Sequence, residues 1–309
     1  MATIDNPATT AALRSQFFDK VVKGLVEKSY KFKQALTVES TSAWKNFFYR
    51  EDDADLTDGT INTVEGIPRG ADFPVGKVKW ERVEAVIKKY GMEDNIPWED
   101  IISDDIPVLR RTAVKLAERV AKSVDDRILI DLGGTNKIGV AEVTTLNYSS
   151  FSLGIKTGAT DQGRGGAWNE TSAAILDNLY EAKQLIGEAN LPTSRLQLWV
   201  TERDHRSIMK FLTDKGAQFP SLSVTTAQNG QLSNLAGFDI IVSNSMETSN
   251  AMIVVPQRVG SWKTLKPLST VMIDDPMKHT TVRVSELGVV EVHQPKGIVL
   301  IMNTVQTVG

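Results

Sequence analysis

SDDIPVLRRTAVKLAERVAKSVDDRILIDLGG, residues 103–134, is the stretch on which the fold turns. Ser103, Asp104 and Asp105 each offer an oxygen to the unpaired amides of a first helical turn, and Pro107 suits a position whose own amide has no helical partner. Gly133 and Gly134 release the chain into the left-handed conformation that commonly ends a helix. Between these signals Leu109, Ala113, Leu116, Val120, Val124 and Ile128 recur at steps of three and four, an apolar stripe along one helix face. Arg110, Arg111, Lys115, Glu118, Arg119, Lys122 and Asp126 fall largely off it. At about 1.5 Å per residue such a helix spans roughly 40 Å, long for a globular domain. A helix of that length needs a long partner surface, so it reads as a spine with a sheet laid against it.

On its N-terminal side, VKWERVEAVIKKYG favours strand through Val78, Trp80, Val83, Ala85 and Ile87, as does WKNFFYR at Trp44–Arg50. Between them runs a polar excursion rich in Gly, Asp and Pro. Two strand-like arms around it predict an extended hairpin projecting from the body, and so long a loop is expected to make contacts with other molecules. Further upstream Leu13, Phe17, Val21 and Leu25 are spaced by four, an amphipathic helix. Its polar face is not uniformly basic, so docking on protein is expected rather than on membrane.

On the C-terminal side, 135–168 is rich in Gly, Thr and Ser, with a short strand expected around Ile138–Val143 and a surface loop over GIKTGATDQGRGGAW. Thr171 or Ser172 is expected to cap a second helix bearing Ile175, Leu179, Ala182 and Ile186, stopped at Leu191-Pro192. RLQLWVT alternates as a half-buried strand, and RDHRSIMKFLTDKG reads as a shorter helix. From Phe238 onward come FDIIVS, AMIVVPQ, STVMID, TVRVS, VVEVH and GIVLIM, expected as separate strands. Turns are expected at Asn250, Pro256, Pro276, Gly288 and Pro295-Lys296-Gly297. Helices first and strands last make the class α+β.

Composition narrows the function. The chain has 309 residues, a formal net charge of -3 and no cysteine. No basic field announces nucleic acid or membrane, and disulfides, thiolate metal sites and cysteine nucleophiles are excluded. No signal peptide or membrane span is legible, so a soluble protein made in the cytoplasm is expected. Gly70-ADFPV-Gly76-Lys77-Val78 misses the phosphate-loop spacing and has valine where a hydroxyl is needed. Gly163, Gly165 and Gly166 fail the dinucleotide fingerprint. Glu51, Asp52, Asp53, Asp55 and Asp58 lack the Gly and Glu of a calcium loop: counting from Asp53, those positions hold Asp58 and Val64. His205, His279 and His293 are not at metal-ligand spacing, and no nucleophile-elbow motif occurs. Asn147 and Asn169 match the glycosylation pattern, read as chance without a signal peptide. No catalytic, cofactor or metal residue is therefore assigned, and the chain is not expected to be an enzyme. An α+β hydrolase or transferase with a dispersed site stands as the competing class; it would require a deep pocket of convergent titratable groups.

The order of parts is itself a motif. VEAVIKKYGMEDNIPWEDI leads into the spine, LQLWVTERDHRSIMKFLTDKG forms a strand-helix unit, LSNLAGFDIIVSNSM follows, and TVRVSELGVVEVHQPKGIVLIM closes the chain. In this order they resemble the Hong Kong 97-type major capsid proteins of tailed double-stranded DNA phages, a fold shared with encapsulins. The resemblance implies an N-arm over 1–43 and an E-loop with its flanking strands over 44–78. It further implies a P-domain over 79–135, to which closing strands at about 278–294 return, and an A-domain over 136–277, to which a C-terminal strand at about 295–309 returns. The implied function is structural: hexamers and pentamers of this chain closing into an icosahedral shell around double-stranded DNA held without sequence specificity, in a virion made in host cytoplasm. The implied partners are itself, a portal, scaffolding and decoration proteins, and no membrane. With no charged helical segment read before the N-arm, a separate scaffold or none is expected. Some relatives cross-link a loop lysine to an asparagine, but nothing singles out Lys77 or Lys79 for that. The alternative within the fold is an encapsulin nanocompartment with an enzyme cargo, for which Phe17, Val21 and Leu25 would line a docking groove.

Overall fold

The computed structural model describes residues 19–20, 22, 24, 29–51, 69–70, 72, 80–103, 108–133, 151–154, 166–170, 173–215, 232, 234–246, 250–275, 277–302 and 304–305. By its contacts the chain divides into two units. One gathers Met1–Lys45, Val86–Asp131 and Ser261–Val290, the other Asn46–Ala85, Leu132–Gly260 and Glu291–Gly309.

The first unit contains the spine. A short helix α1 (Trp98–Ser103) precedes the long helix α2 (Val108–Asp131). Ser103 is therefore not the cap of the spine: its hydroxyl donates to the Glu99 carbonyl at 2.7 Å and closes α1 instead. The C-terminal signal holds, with Gly133 at φ +91°. Ala113, Leu116, Val120, Val124 and Ile128 are buried as the stripe requires, joined by Ala117, Ala121 and Leu129. Asp126, read as lying off the stripe, is buried, as is Asp125. The exposed face carries Arg110, Arg111, Lys115, Glu118, Arg119 and Lys122.

The partner surface is a four-stranded sheet of order β1-β10-β11-β4. Strand β1 (Thr37–Ser40) runs parallel to β10 (Gly260–Asp275), with Thr37 opposite Ser261. Strand β4 (Lys88–Pro97) runs antiparallel to β11 (His279–Val292), from Pro97 opposite His279 to Lys88 opposite Gly288. Helix α2 packs on β4 and on a 3₁₀ turn at Lys33–Ala35. Gly288, expected to separate two strands, lies inside β11. A Cβ there would come within 2.4 Å of the Trp262 ring, so the position is glycine because the buried indole occupies the space. TVRVS and VVEVH are thus halves of one strand, and STVMID is the end of β10.

The second unit is a six-stranded mixed sheet of order β5-β12-β9-β6-β8-β7. Strand β6 (Leu196–Val200) lies beside β9 (Asn250–Val254), antiparallel, and β8 (Phe238–Val242), parallel. Strand β12 (Ile298–Met302) adds antiparallel to β9 and parallel to β5 (Phe151–Gly154), and β7 (Asn234–Leu235) closes the far edge. Leu198, Trp199, Met252, Ile253, Val254 and Val299 are fully buried. Consecutive burial, rather than alternation, marks central strands covered on both faces. Helix α3 (Ile175–Glu188) buries Ile175, Leu179, Ala182 and Ile186 as its period predicts. No side chain caps its N-terminus at Ala174, residues 171–172 lie outside the described residues, and the chain leaves it through Asn190 at φ 57°. Helix α4 (Glu202–Asp214) is capped by Thr201, whose hydroxyl accepts from the Asp204 amide. The strand expected at Ile138–Val143 lies outside the described residues, and Asn250 begins β9 rather than forming a turn.

Candidate functional site

Strands β2 (Lys45–Glu51) and β3 (Trp80–Val86) pair with each other in a separate two-stranded sheet, the arms expected around the polar excursion. Alternation along β2 gives its two faces opposite tasks. Phe48 is buried, with the His293 ring edge-on at 5.3 Å. Arg50 donates to the Val292 carbonyl and lies over the Phe48 ring. The other face leaves Phe47 53 % and Tyr49 58 % exposed, with the Arg82 guanidinium 4.1 Å from the Phe47 ring centroid. One face therefore roots the arm, and the other presents aromatic surface. Exposed large aromatics on one strand face make an apolar patch of the kind suited to contact with another molecule.

A second cluster fixes the N-terminal segment to the first unit. The main-chain amides of Lys31 and Lys33 donate to the two carboxylate oxygens of Asp125 on α2. The Lys33 ammonium pairs with Glu286 of β11 at 2.6 Å, and the Tyr30 hydroxyl donates to the same carboxylate at 2.5 Å. Glu286 is fully buried, so this pair and hydrogen bond replace its water shell. Lys33 also sits 4.4 Å from the Tyr30 ring centroid and 5.3 Å from that of Trp262. Burial pushes the Asp125 carboxyl up to about 6, against the pull of the amides of Lys31, Lys33 and Phe32. Upstream, Asp19 accepts from the Thr270 amide, and Val22 is buried. The N-terminal segment is thus tied to helix and sheet by buried charge, a link that the sequence did not announce because its letters are those of a polar surface.

Residues weighed for chemistry are scattered. His205 is buried on α4 near the Leu232 carbonyl, His279 begins β11, and His293 lies against Phe48. Among the described residues no group of three or more His, Cys, Asp and Glu is placed to hold a metal. Also among them, no helix is long and apolar enough to cross a membrane. Asn169 lies in the 168–170 turn and Gly166 bridges to Ala173. Gly70 has φ +82°. Asp52, Asp53, Asp55, Asp58, Gly76, Lys77, Val78, Lys79, Asn147, Gly163, Gly165, Phe17, Val21 and Leu25 lie outside the described residues.

Residues 80–301 match the family model described as phage capsid protein. No curated protein matches the chain. Among solved structures, the capsid of the cyanophage P-SCSP1u superposes with a TM-score of 0.66 at 13% identity, over 88% of this chain and 87% of that one. A structure of Mycobacterium phage Che8 gives 0.61 at 13% identity, over 89% and 92%. The virus-like particle of Pyrococcus furiosus gives 0.57 at 13% identity, over 93% and 99%. At such identities these likenesses speak for the fold, which is the Hong Kong 97 type.

Proposed function

Because the chain belongs to the phage capsid protein family, we infer that its subunits join as hexamers and pentamers into an icosahedral shell around double-stranded DNA. Its role is that of a major capsid protein, a structural component of the virion. The observation that carries the inference is the reach of the family match, which takes in both the spine-helix unit and the six-stranded unit. The spine-helix unit would be the P-domain with the N-arm docked on it. The six-stranded unit would be the A-domain, and β2 with β3 the root of the E-loop. Portal, scaffolding and decoration proteins, and synthesis in the host cytoplasm, belong to the same reading. The encapsulin alternative shares the fold, but the family match is to a phage capsid protein, which favours the virion.

The physical requirement is that each copy offers unlike, complementary patches that close into rings. The aromatic face of β2 is one such patch, and burying Phe47 and Tyr49 on a neighbour would contribute about 2 kcal/mol each before ordering costs. Many weak contacts engaged together then hold the shell. Size-exclusion chromatography with electron microscopy tests this on the full chain and on a deletion of Asp52–Gly70. The full chain should form shells, and the deletion should remain folded yet fail to assemble or assemble aberrantly. Normal shells from the deletion would remove the loop from the contacts.

A further inference from the structure

In the six-stranded unit, helix α4 and the turn 168–170 enclose a cleft of about 540 Å³. Helix positions 203, 206, 210 and 214 line it, at steps of three and four, so one helical face forms the wall. Arg203, Arg206, Lys210 and Lys215 bring four cations, and Glu170 and Asp214 two acids. The cleft is therefore net positive in a chain whose formal charge is -3. All four cations are exposed, and among the described residues none of them makes an ion pair. Arg203 stands in the first turn of α4, where the helix dipole disfavours a cation, so helix stability does not account for it. Trp168 supplies the second observation. It lines the cleft, it is 2% exposed, and among the described residues its Nε1 has no hydrogen-bond partner. Its own amide is fixed to the Thr304 carbonyl at 2.8 Å, so the residue is held in place. A buried N–H held without an acceptor, beside clustered cations, is the complement of a carboxylate or other oxyanion.

We propose that this cleft receives the acidic run Glu51–Asp58 of a neighbouring copy of the chain. Glu51, Asp52, Asp53, Asp55 and Asp58 put five carboxylates into eight residues with no cation, the densest acidic octet in the sequence. A continuous phosphate backbone would meet repulsion from Glu170 and Asp214, whereas a peptide brings main-chain N–H groups that these acids can accept. The proposal rests on the shell reading. Heterologous rings need two unlike patches on each copy, and a cationic cleft with an acidic loop is such a pair.

Charge reversal tests it on full-length protein. R203E/R206E and D52K/D53K should each raise the concentration needed for assembly by about tenfold, and a chain carrying both sets should return most of the way to wild type. An equimolar mixture of the two singly reversed proteins should recover six-membered rings, in which the two alternate and each reversed cleft finds a reversed loop on its neighbour. Singly reversed proteins that assemble like wild type, or a combined variant no better than either, would overturn the contact while leaving the shell reading intact. A mixture that yields no six-membered rings while the combined variant assembles would assign the contact to one copy and overturn the neighbour. If wild type forms no shells, the shell reading falls and this contact with it. A fluorescent peptide of residues 47–60 adds a readout independent of assembly: it should bind the full chain and lose about tenfold in affinity in R203A/R206A. Binding of a short oligothymidylate that depends on Arg203 and Arg206, with no peptide binding, would overturn the proposal in favour of nucleic acid.

Discussion

Lys33 and Glu286 carry the sharpest single-residue consequences. Replacing Lys33 by alanine leaves the Glu286 carboxylate in the core with, among the described residues, Tyr30 alone to answer it. The expected cost is about 3–5 kcal/mol in denaturant unfolding, and the double replacement K33M/E286L should recover most of it. Asp125 gives a pH signature. Its folded value of about 6 lies above the ordinary value of 3.8, so the folded chain binds this proton more tightly. Its contribution to stability is full below about pH 4 and is lost as pH rises through 6, a span of up to about 3 kcal/mol. Asp125→Asn removes that proton. Relative to wild type the variant should therefore gain stability between pH 4 and 7.5, as read by melts in parallel. A constant difference between the two proteins across that range would contradict the buried carboxylate. Burial of Asp125 and Glu286 was not legible in the sequence, because Asp125 is met by main-chain amides and Glu286 by Tyr30 and Lys33, more than two hundred residues away.

Elements were legible where their period was strong. The stripe from Ala113 to Ile128 placed the spine and its buried face, and Leu116→Asp or Val120→Asp should prevent folding by burying a lone carboxylate. Soluble, assembly-competent protein from either would mean the wrong face was chosen. Strand β4 was less legible. Only Ile96 is buried in KKYGMEDNIP, so no alternation announced it, and a glycine, Gly91, lies within its ladder opposite Ser285. Gly288, likewise within a strand, looked like a turn. Gly288→Ala should destabilise by about 1–3 kcal/mol, since the added methyl meets the Trp262 ring. Conversely, Phe47→Ser with Tyr49→Ser should cost the monomer only about 1–2 kcal/mol, since about half of each ring is exposed, yet should weaken assembly markedly. Unfolding midpoints and light scattering of the same samples separate the two effects.

At the scale of the molecule, the order of parts said more than any motif. A polar excursion between strand-like arms, then a spine, then a strand-rich finish pointed to a shell subunit before any single residue did. What sequence order could not supply was the pairing. Strand β1 lies beside β10, more than two hundred residues away, and β12 sits between β5 and β9. Such non-local ladders are set by burial of whole faces rather than by neighbouring letters. The cationic cleft was missed for a related reason: Arg203, Arg206 and Lys210 read as an ordinary solvated helix face until Trp168 was placed beside them. The central claim is that this chain closes into a shell of its own copies. Electron cryomicroscopy of the purified full-length protein under assembly conditions tests it most directly. Closed particles with fivefold vertices, each copy laying its two-stranded arm on a neighbour, are the expected result, and a protein that stays a 34.0 kDa monomer at every concentration would contradict it.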